Sequence, residues 1–366
     1  MSERRLSFQE FCETAQKDIR SYLPDSFRDA AVATADFRKL NQNYVGLTVR
    51  RQDQTVVPNI NLNAQYEQYM QNGGDLDAVL KRIAEQVQLQ PELQTDWLKD
   101  YDQVKDRLFV RVSDAEKNKD YLAQVPHKTV DGLAITYHVA FDGVQGINAS
   151  TVVTNDSLDR YGISAEQLHK DALANSQEML PSRYTSMAAM MMGIAEGMGM
   201  EPDLMEEAPP GVPTLMVLTN SSGVQGAAAL FYQDKLDGIS SGFHSDFFIL
   251  PSSVHEVLIL PDDGNTDYKD LEMMVQQINK AEVAPEDRLS DHVYHYDAKE
   301  HALEKAETHE RRMKLKERMS EKADDHGRGS QDGRKSVLQR LNEKKAQVSA
   351  QPKKDVHNRA KGMNLD

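Results

Sequence analysis

The sequence LPSSVHEVLILPDDG, residues 250–264, contains a short apolar run between two prolines, followed by an acidic turn. From Val254 to Leu260 every residue except His255 and Glu256 is strongly apolar. A strand this short that is apolar on both faces is typical of the middle of a sheet. We therefore predict that this run forms a central strand with a polar entrance.

Two ionisable side chains, His255 and Glu256, lie near the start of this predicted strand. Because side chains alternate along a strand, the two groups are expected on opposite faces, where each needs a polar partner. One hypothesis is that neighbouring groups satisfy them, since buried polar groups are nearly always paired. The other is a ligand-binding or acid–base site at the strand end. The candidate ligand-binding residues are Asn220, Ser252, Ser253, His255, Glu256 and Asp262.

Length and composition are those of a soluble globular protein with a polar appendage. The chain has 366 residues, of which 39% are hydrophobic and 28% charged, so about two domains are expected. The pattern of amphipathic helices and alternating strands predicts an α+β fold with two mixed or antiparallel sheets and flanking helices. We expect an N-terminal α+β region over residues 1–124, a second over 125–297 that contains the central strand, and a basic helical or disordered tail over 298–366.

Charge is distributed unevenly along the chain. The whole sequence carries 43 Lys and Arg against 58 Asp and Glu, a net charge of −15, while residues 299–366 carry 18 against 12 and are basic. An acidic body repels nucleic acid and anionic membranes. Contact with nucleic acid is therefore expected only through the tail, over residues 299–361.

Two motifs with catalytic or metal-binding associations have a plainer interpretation. The stretch Gly238–Gly242 matches G-x-S-x-G, but a helix-like segment precedes it and a strand follows, which reverses the order that a nucleophile elbow needs. We therefore expect a plain Gly/Ser turn there. His292 and His295 are three apart on a predicted strand, so their imidazoles point to opposite faces. The sequence lacks a phosphate-binding loop and a dinucleotide fingerprint. We predict no catalytic residue, no metal site and no cofactor.

Other features concern location and partners. The sequence shows neither a secretory signal nor an apolar run long enough to span a membrane, so a cytoplasmic protein without membrane contact is expected. The segment from Met187 to Met200 is rich in methionine, which either fills irregular gaps in a core or forms an adaptable partner surface.

Several segments resemble an uncharacterised family from anaerobic gut Firmicutes, domain of unknown function 5688. The resemblance covers about residues 6–296 and is carried by YVGLTVR at 44–50, VLTN at 217–220, GAAAL at 226–230 and, most specifically, residues 250–264. It implies a bacterial cytoplasmic setting and no catalytic residue. The tail, around Lys335 to Leu341, is similar to C-termini of proteins from conjugative mobile elements.

Three functional hypotheses follow from these observations. The first is a non-enzymatic interaction or accessory protein with an unknown protein partner, for which the resemblance of the tail indicates an origin on a mobile element. The second is a small-ligand-binding domain or a hydrolase-like enzyme that uses a pocket near His255 and Glu256. The third is non-specific association with nucleic acid through the basic tail.

Overall fold

The structure is a computed structural model that describes residues 5–52, 54, 57–89, 95–141, 149–197 and 215–328. The chain divides into two compact units, residues 1–309 and 310–366. In the second unit, residues 310–328 are helical. Within the described residues, no helix is both long enough and apolar enough to cross a bilayer.

The secondary structure confirms the predicted α+β class. The α-helices are α1 (Phe8–Asp18), α2 (Leu62–Gln71), α3 (Leu76–Gln88), α4 (Tyr101–Val104), α5 (Lys119–Leu122), α6 (Asn155–Tyr161), α7 (Ala165–Met179), α8 (Met187–Gly197), α9 (Gln233–Phe243), α10 (Tyr268–Ala281) and α11 (Ala306–Arg328). The strands are β1 (Ala31–Lys39), β2 (Gln42–Arg50), β3 (Ile60–Asn61), β4 (Leu108–Asp114), β5 (His127–Val130), β6 (Leu133–Ala140), β7 (Ser150–Val152), β8 (Ser182–Ser186), β9 (Met216–Asn220), β10 (Phe247–Leu250), β11 (Val257–Pro261), β12 (Tyr294–Asp297) and β13 (Ala302–Lys305).

Side-chain caps explain where several helices begin. Ser7 accepts a hydrogen bond from the backbone N–H of Glu10, whose side chain accepts the backbone N–H of Ser7, so α1 begins with a capping box of the S-x-x-E type. Asp75 caps α3, and Ser164 caps α7. Each cap satisfies backbone N–H groups that the first turn of a helix leaves without a partner.

The largest sheet has the strand order β13-β12-β10-β11-β9-β8, and its strands pair antiparallel. Strand β11 has β10 on one side and β9 on the other, so the predicted central strand is confirmed. Val257 and Ile259 lie in one core cluster, whereas Leu258 and Leu260 pack against another on the opposite face. An apolar core therefore covers each face of β11.

The beginning of the central strand differs from the prediction. β11 starts at Val257, three residues later than expected, and Val254 packs in the same core cluster as Val257. The reason is local: the N–H of His255 donates to Oγ of Ser253 at 2.9 Å, a side-chain turn that competes with regular strand pairing.

The described residues form three antiparallel sheets, where the sequence suggested two. Strands β1 to β3 form an N-terminal sheet, and β4 to β7 form another in which β6 pairs with β4, β5 and β7. The pairing of β4 with β6 joins the regions expected on either side of residue 124. That boundary and the one at residue 297 stay predictions.

The motif at Gly238–Gly242 lies inside α9, which continues to Phe243. Oγ of Ser240 donates to the carbonyl of Ser245, and Oγ of Ser241 donates to the carbonyl of Asp237. The expected Gly/Ser turn is therefore wrong, because the helix runs through both glycines. The absence of a strand–turn–helix junction also removes the geometry of a nucleophile elbow.

A 3₁₀ helix of small residues, Gly226–Phe231, packs against the central sheet. A Cβ on Gly226 would overlap Oγ1 of Thr219 and would lie 2.5 Å from the carbonyl oxygen of His255 and 2.6 Å from the backbone nitrogen of Asn220. Two of these three neighbours are backbone atoms, which cannot rotate away. Glycine is therefore required here for close approach.

We predict that Gly226→Ala lowers the free energy of unfolding by about 2–4 kcal/mol, because the added methyl group overpacks a site closed by backbone. Chemical unfolding monitored by circular dichroism measures the change. The matched control is Gly238→Ala in α9, where an added Cβ meets nothing within 4 Å. It should be neutral or stabilising by up to about 1 kcal/mol. Equal effects of the two substitutions would contradict the packing argument.

Candidate metal centre

The residues that the sequence singled out lie at the two ends of β11. At its N-terminal end, Nδ1 of His255 accepts the backbone N–H of Gln225 at 3.2 Å, and Nε2 lies 3.1 Å from Oδ1 of Asp287. The carbonyl of His255 accepts the hydroxyl of Thr219 at 2.7 Å. Both ring nitrogens of His255 are thus in use, and neither is available to activate a neighbouring hydroxyl.

The other candidates at this end connect loops. The side chain of Asn220 donates to the carbonyl of Val224 at 2.9 Å and accepts the N–H of Ser222 at 3.0 Å, which closes a turn after β9. The carbonyl of Ser252 accepts the N–H of Leu289 at 3.2 Å. Ser253 and Arg288 form an isolated β-bridge. These contacts hold three loops together.

Two candidates do not join this group. Glu256 is partly exposed and makes no hydrogen bond or ion pair with the part of the chain that the structure describes. Asp262 lies beyond the other end of β11, which is about 15 Å away for a five-residue strand. The structure therefore brings Asn220, Ser253 and His255 together and places Asp262 elsewhere.

The C-terminal end of β11 carries a second cluster, which antiparallel pairing assembles. Asp246 immediately precedes β10, and Asp262 immediately follows β11. Since the two strands run in opposite directions, both residues lie at the same edge of the sheet, where the N–H of Asp262 donates to the carbonyl of Asp246 at 2.9 Å. On the other side of β10, His295 of β12 lies opposite Phe248.

His295 is the centre of this cluster and only 1% exposed. Its Nε2 lies 3.0 Å from Oδ2 of Asp262, and this hydrogen bond is the largest contribution that lowers the pKa of Asp262. The ring of Phe248 contacts the imidazole edge to face at 5.2 Å. Nδ1 of His295 is buried and has no hydrogen-bond partner. A buried polar atom without a partner is uncommon in a native fold and calls for an explanation.

His309, in the first turns of α11, stacks on His295 with ring centroids 3.8 Å apart. Its Nδ1 lies 3.1 Å from Oε1 of Glu304 in β13, and both of these side chains are largely buried. Each imidazole of the stacked pair therefore has a carboxylate on one ring nitrogen. In metalloproteins such carboxylates orient the ligating histidines and raise their basicity.

Asp246, His295 and His309 each offer one ligand atom, and the three atoms lie within 4.8 Å of one another. Zinc bonds to nitrogen and oxygen are about 2.0–2.2 Å long, so a small inward shift of these side chains would complete three bonds. Oδ1 of Asp246 also accepts the N–H of Ala298 at 3.0 Å, which orients this carboxylate. The three residues can hold a divalent metal ion.

Sequence reasoning missed this cluster. The imidazoles of His292 and His295 contact different carboxylates. Nδ1 of His292 lies 2.9 Å from Oε1 of Glu272, whereas His295 contacts Asp262. The residues that meet His295 come from positions 246 and 309, and no short spacing links them. The available signal was a histidine between two tyrosines in a predicted strand, because a buried imidazole needs a polar partner.

The fold and this cluster define an α+β protein with a half-buried group of histidines and carboxylates at the edge of its largest described sheet. The chain belongs to a family of unknown function, DUF5688, whose sequence model matches residues 8–298. The resemblance inferred from the sequence is thereby confirmed. No curated protein and no solved structure matches the chain. Asp246, Asp262 and His295 lie within the matched range, whereas Glu304 and His309 lie after it.

The pairing of Asp262 with His295 predicts a pH dependence. Because its pKa is lowered in the fold, Asp262 contributes stability that is complete above its unfolded pKa of about 3.9 and is lost as the pH falls through the folded value. Between about pH 5 and pH 2, the wild-type chain should lose more unfolding free energy than Asp262→Asn. Urea unfolding in the presence of EDTA measures this difference. Parallel pH profiles for the two chains would contradict it.

Proposed function

We propose that this chain is a non-enzymatic metal-binding protein that holds one divalent transition-metal ion between Asp246, His295 and His309. The observation that carries the proposal is Nδ1 of His295, which is buried and has no hydrogen-bond partner, on a residue that offers one of the three clustered ligand atoms. Metal coordination would satisfy this lone pair in the place of a hydrogen bond.

The donor set favours a particular class of ion. Two imidazoles and one carboxylate suit zinc and its first-row neighbours, whereas calcium and magnesium prefer oxygen ligands throughout. Asp262 and Glu304 fit the role of outer carboxylates, since each contacts one of the two histidines. Zn²⁺ is therefore the ion with which we expect the tightest binding among the abundant divalent cations.

The elements that carry the ligands support a structural role for the ion. His295 is buried and Asp246 and His309 are half-buried, so three protein ligands would leave a fourth tetrahedral position for a water molecule. The ligands come from the start of β10, from β12 and from α11, so an ion would fasten the beginning of α11 to the sheet. The engagement of both nitrogens of His255 also supports a role without catalysis at the other strand end.

We predict that the metal-free full chain binds about one Zn²⁺ and that its melting temperature rises on binding, because a ligand specific for the folded state stabilises it. At a zinc concentration about 1,000 times Kd the added stability is about 4 kcal/mol. His309→Asn should abolish both effects. Isothermal titration calorimetry, metal analysis and thermal unfolding provide the measurements.

The matched control for this experiment is His292→Asn, which removes a nearby histidine that contacts Glu272 instead of the cluster. This variant should bind zinc like the wild type. Circular dichroism of metal-free His309→Asn verifies that the variant is folded. The proposal fails if the wild type takes up no zinc, or if His292→Asn loses binding while His309→Asn keeps it.

A second candidate function is interaction with a protein partner through helix α8. Met191 and Met192 are 49% and 38% exposed, and no side chain of α8 among its described residues 187–193 is buried. Exposed methionines form adaptable surfaces that fit several partners. This exposure supports the interaction or accessory role rather than core packing for the described part of the methionine-rich segment, which continues beyond the described residues.

We predict that replacing Met191 and Met192 together by glutamate reduces recovery of a specific partner from native lysate by at least about tenfold, because two charges disfavour an apolar interface. Met273→Glu, an exposed methionine of α10, is the control and should leave recovery unchanged. Affinity purification with quantitative mass spectrometry makes the comparison. Partners recovered equally with all three chains would contradict a role for α8.

Association with nucleic acid through residues 299–361, a cytoplasmic location, a bacterial source and an origin on a mobile element stay predictions. The basic charge after residue 298 supports the first of these. The pocket expected near His255 and Glu256 also stays a prediction. Two surface clefts of about 410 and 350 Å³ are lined by other residues, around Arg51 and around Asn118 respectively.

A further inference from the structure

The sheet formed by β4 to β7 has one apolar face and one face with buried polar side chains. In the pairing of β4 with β6, Phe109 lies opposite His138, Arg111 opposite Thr136, and Ser113 opposite Ala134. Cross-strand partners and every second residue share a face, so Arg111, Ser113, Thr136 and His138 form one group. This polar group is separate from the sheet that carries the metal centre.

Arg111 lacks an acidic partner in this group. One of its Nη atoms donates to Oγ of Ser150 at 3.0 Å, and the guanidinium lies 5.4 Å from the centre of the Phe109 ring. Its Nε is buried and has no hydrogen-bond partner, and no carboxylate of the described residues lies within ion-pair distance. Oγ of Ser113 is also buried without a partner.

Among the residues that the structure describes, the groups that contact Arg111 do not supply negative charge. His138 makes a hydrogen bond with Thr136 at 3.0 Å, and burial, followed by the charge of Arg111, lowers its pKa well below 6.5, so its ring is neutral at pH 7. Burial raises the pKa of Tyr121, which is close enough to Arg111 to interact electrostatically, to about 12. Arginine keeps its charge in proteins, and burying a charge without a partner is costly.

An anion would remove this cost. The planar guanidinium presents paired N–H donors that match the oxygens of a carboxylate or a phosphate group. Arg111 is partly buried, so part of its side chain reaches solvent. Ser150, at the start of β7, places a hydroxyl beside the guanidinium. The neutral, polar surroundings make the pairing stronger than it would be at an exposed position.

We propose that Arg111, together with Ser150, is the anchor of a binding site for a small oxyanion, the carboxylate or phosphate group of a metabolite. This site lies outside the metal centre and does not depend on the metal-binding proposal. The Arg111 site would bind an anion, whereas the metal centre would bind a cation. Anion binding and zinc binding can therefore be tested separately in the same chain.

The test is thermal unfolding of the full chain in inorganic phosphate or in acetate, at about 10 mM each, against sodium chloride at the same ionic strength, with EDTA present throughout. The wild type should gain about 2 °C or more in at least one of the two oxyanions relative to chloride, because an anion that binds only the folded state stabilises it. The phosphate and acetate arms distinguish the two classes of ligand.

Arg111→Met should remove this gain. The control is Arg107→Met, which removes a nearby guanidinium that lies over Trp97 and should leave the gain unchanged. If Arg111→Met does not fold, Ser150→Ala takes its place and should reduce the gain by at least half. The proposal is overturned if neither oxyanion raises the wild-type melting temperature above the chloride value, or if the variant that folds keeps the full gain.

Discussion

The structure depends on strand β11, which has a hydrogen-bonded antiparallel neighbour on each side and an apolar core on each face. A strand in this position cannot carry ionisable groups along its length, because each would be buried without water. The polar side chains within the stretch 250–264 therefore lie at the two ends of β11. At one end His255 connects three loops, and at the other Asp262 contacts His295.

The candidate metal centre is a consequence of the antiparallel order β11, β10, β12. Opposite strand directions place the start of β10 beside the end of β11, and the hairpin from β12 to β13 leads the chain back so that α11 begins next to His295. A buried nitrogen without a partner costs about 1–3 kcal/mol. A metal ion at this position would replace that cost by coordination and would connect α11 to the sheet.

His295 and Arg111 depart from ordinary packing in the same way. Each has one ring or guanidinium nitrogen that is buried without a hydrogen-bond partner, in a sheet whose other face is apolar. Local departures from the rules of packing are expected where a protein binds something. The two positions favour ligands of opposite charge, because the lone pair of an imidazole binds a cation whereas a guanidinium binds an anion.

The sequence by itself determined the α+β class, the central strand and several helix starts, because these follow from local periodicity and from caps such as Ser7. It also indicated, through the segment at 250–264, the family to which the chain belongs. Only the tertiary structure decided that Asp262 leaves the group around His255, that the helix runs through Gly238, and that positions 246, 295 and 309 meet. The physical reason is that strand pairing brings together residues that are far apart in the chain, and the spacing of residues along the chain does not predict which strands pair.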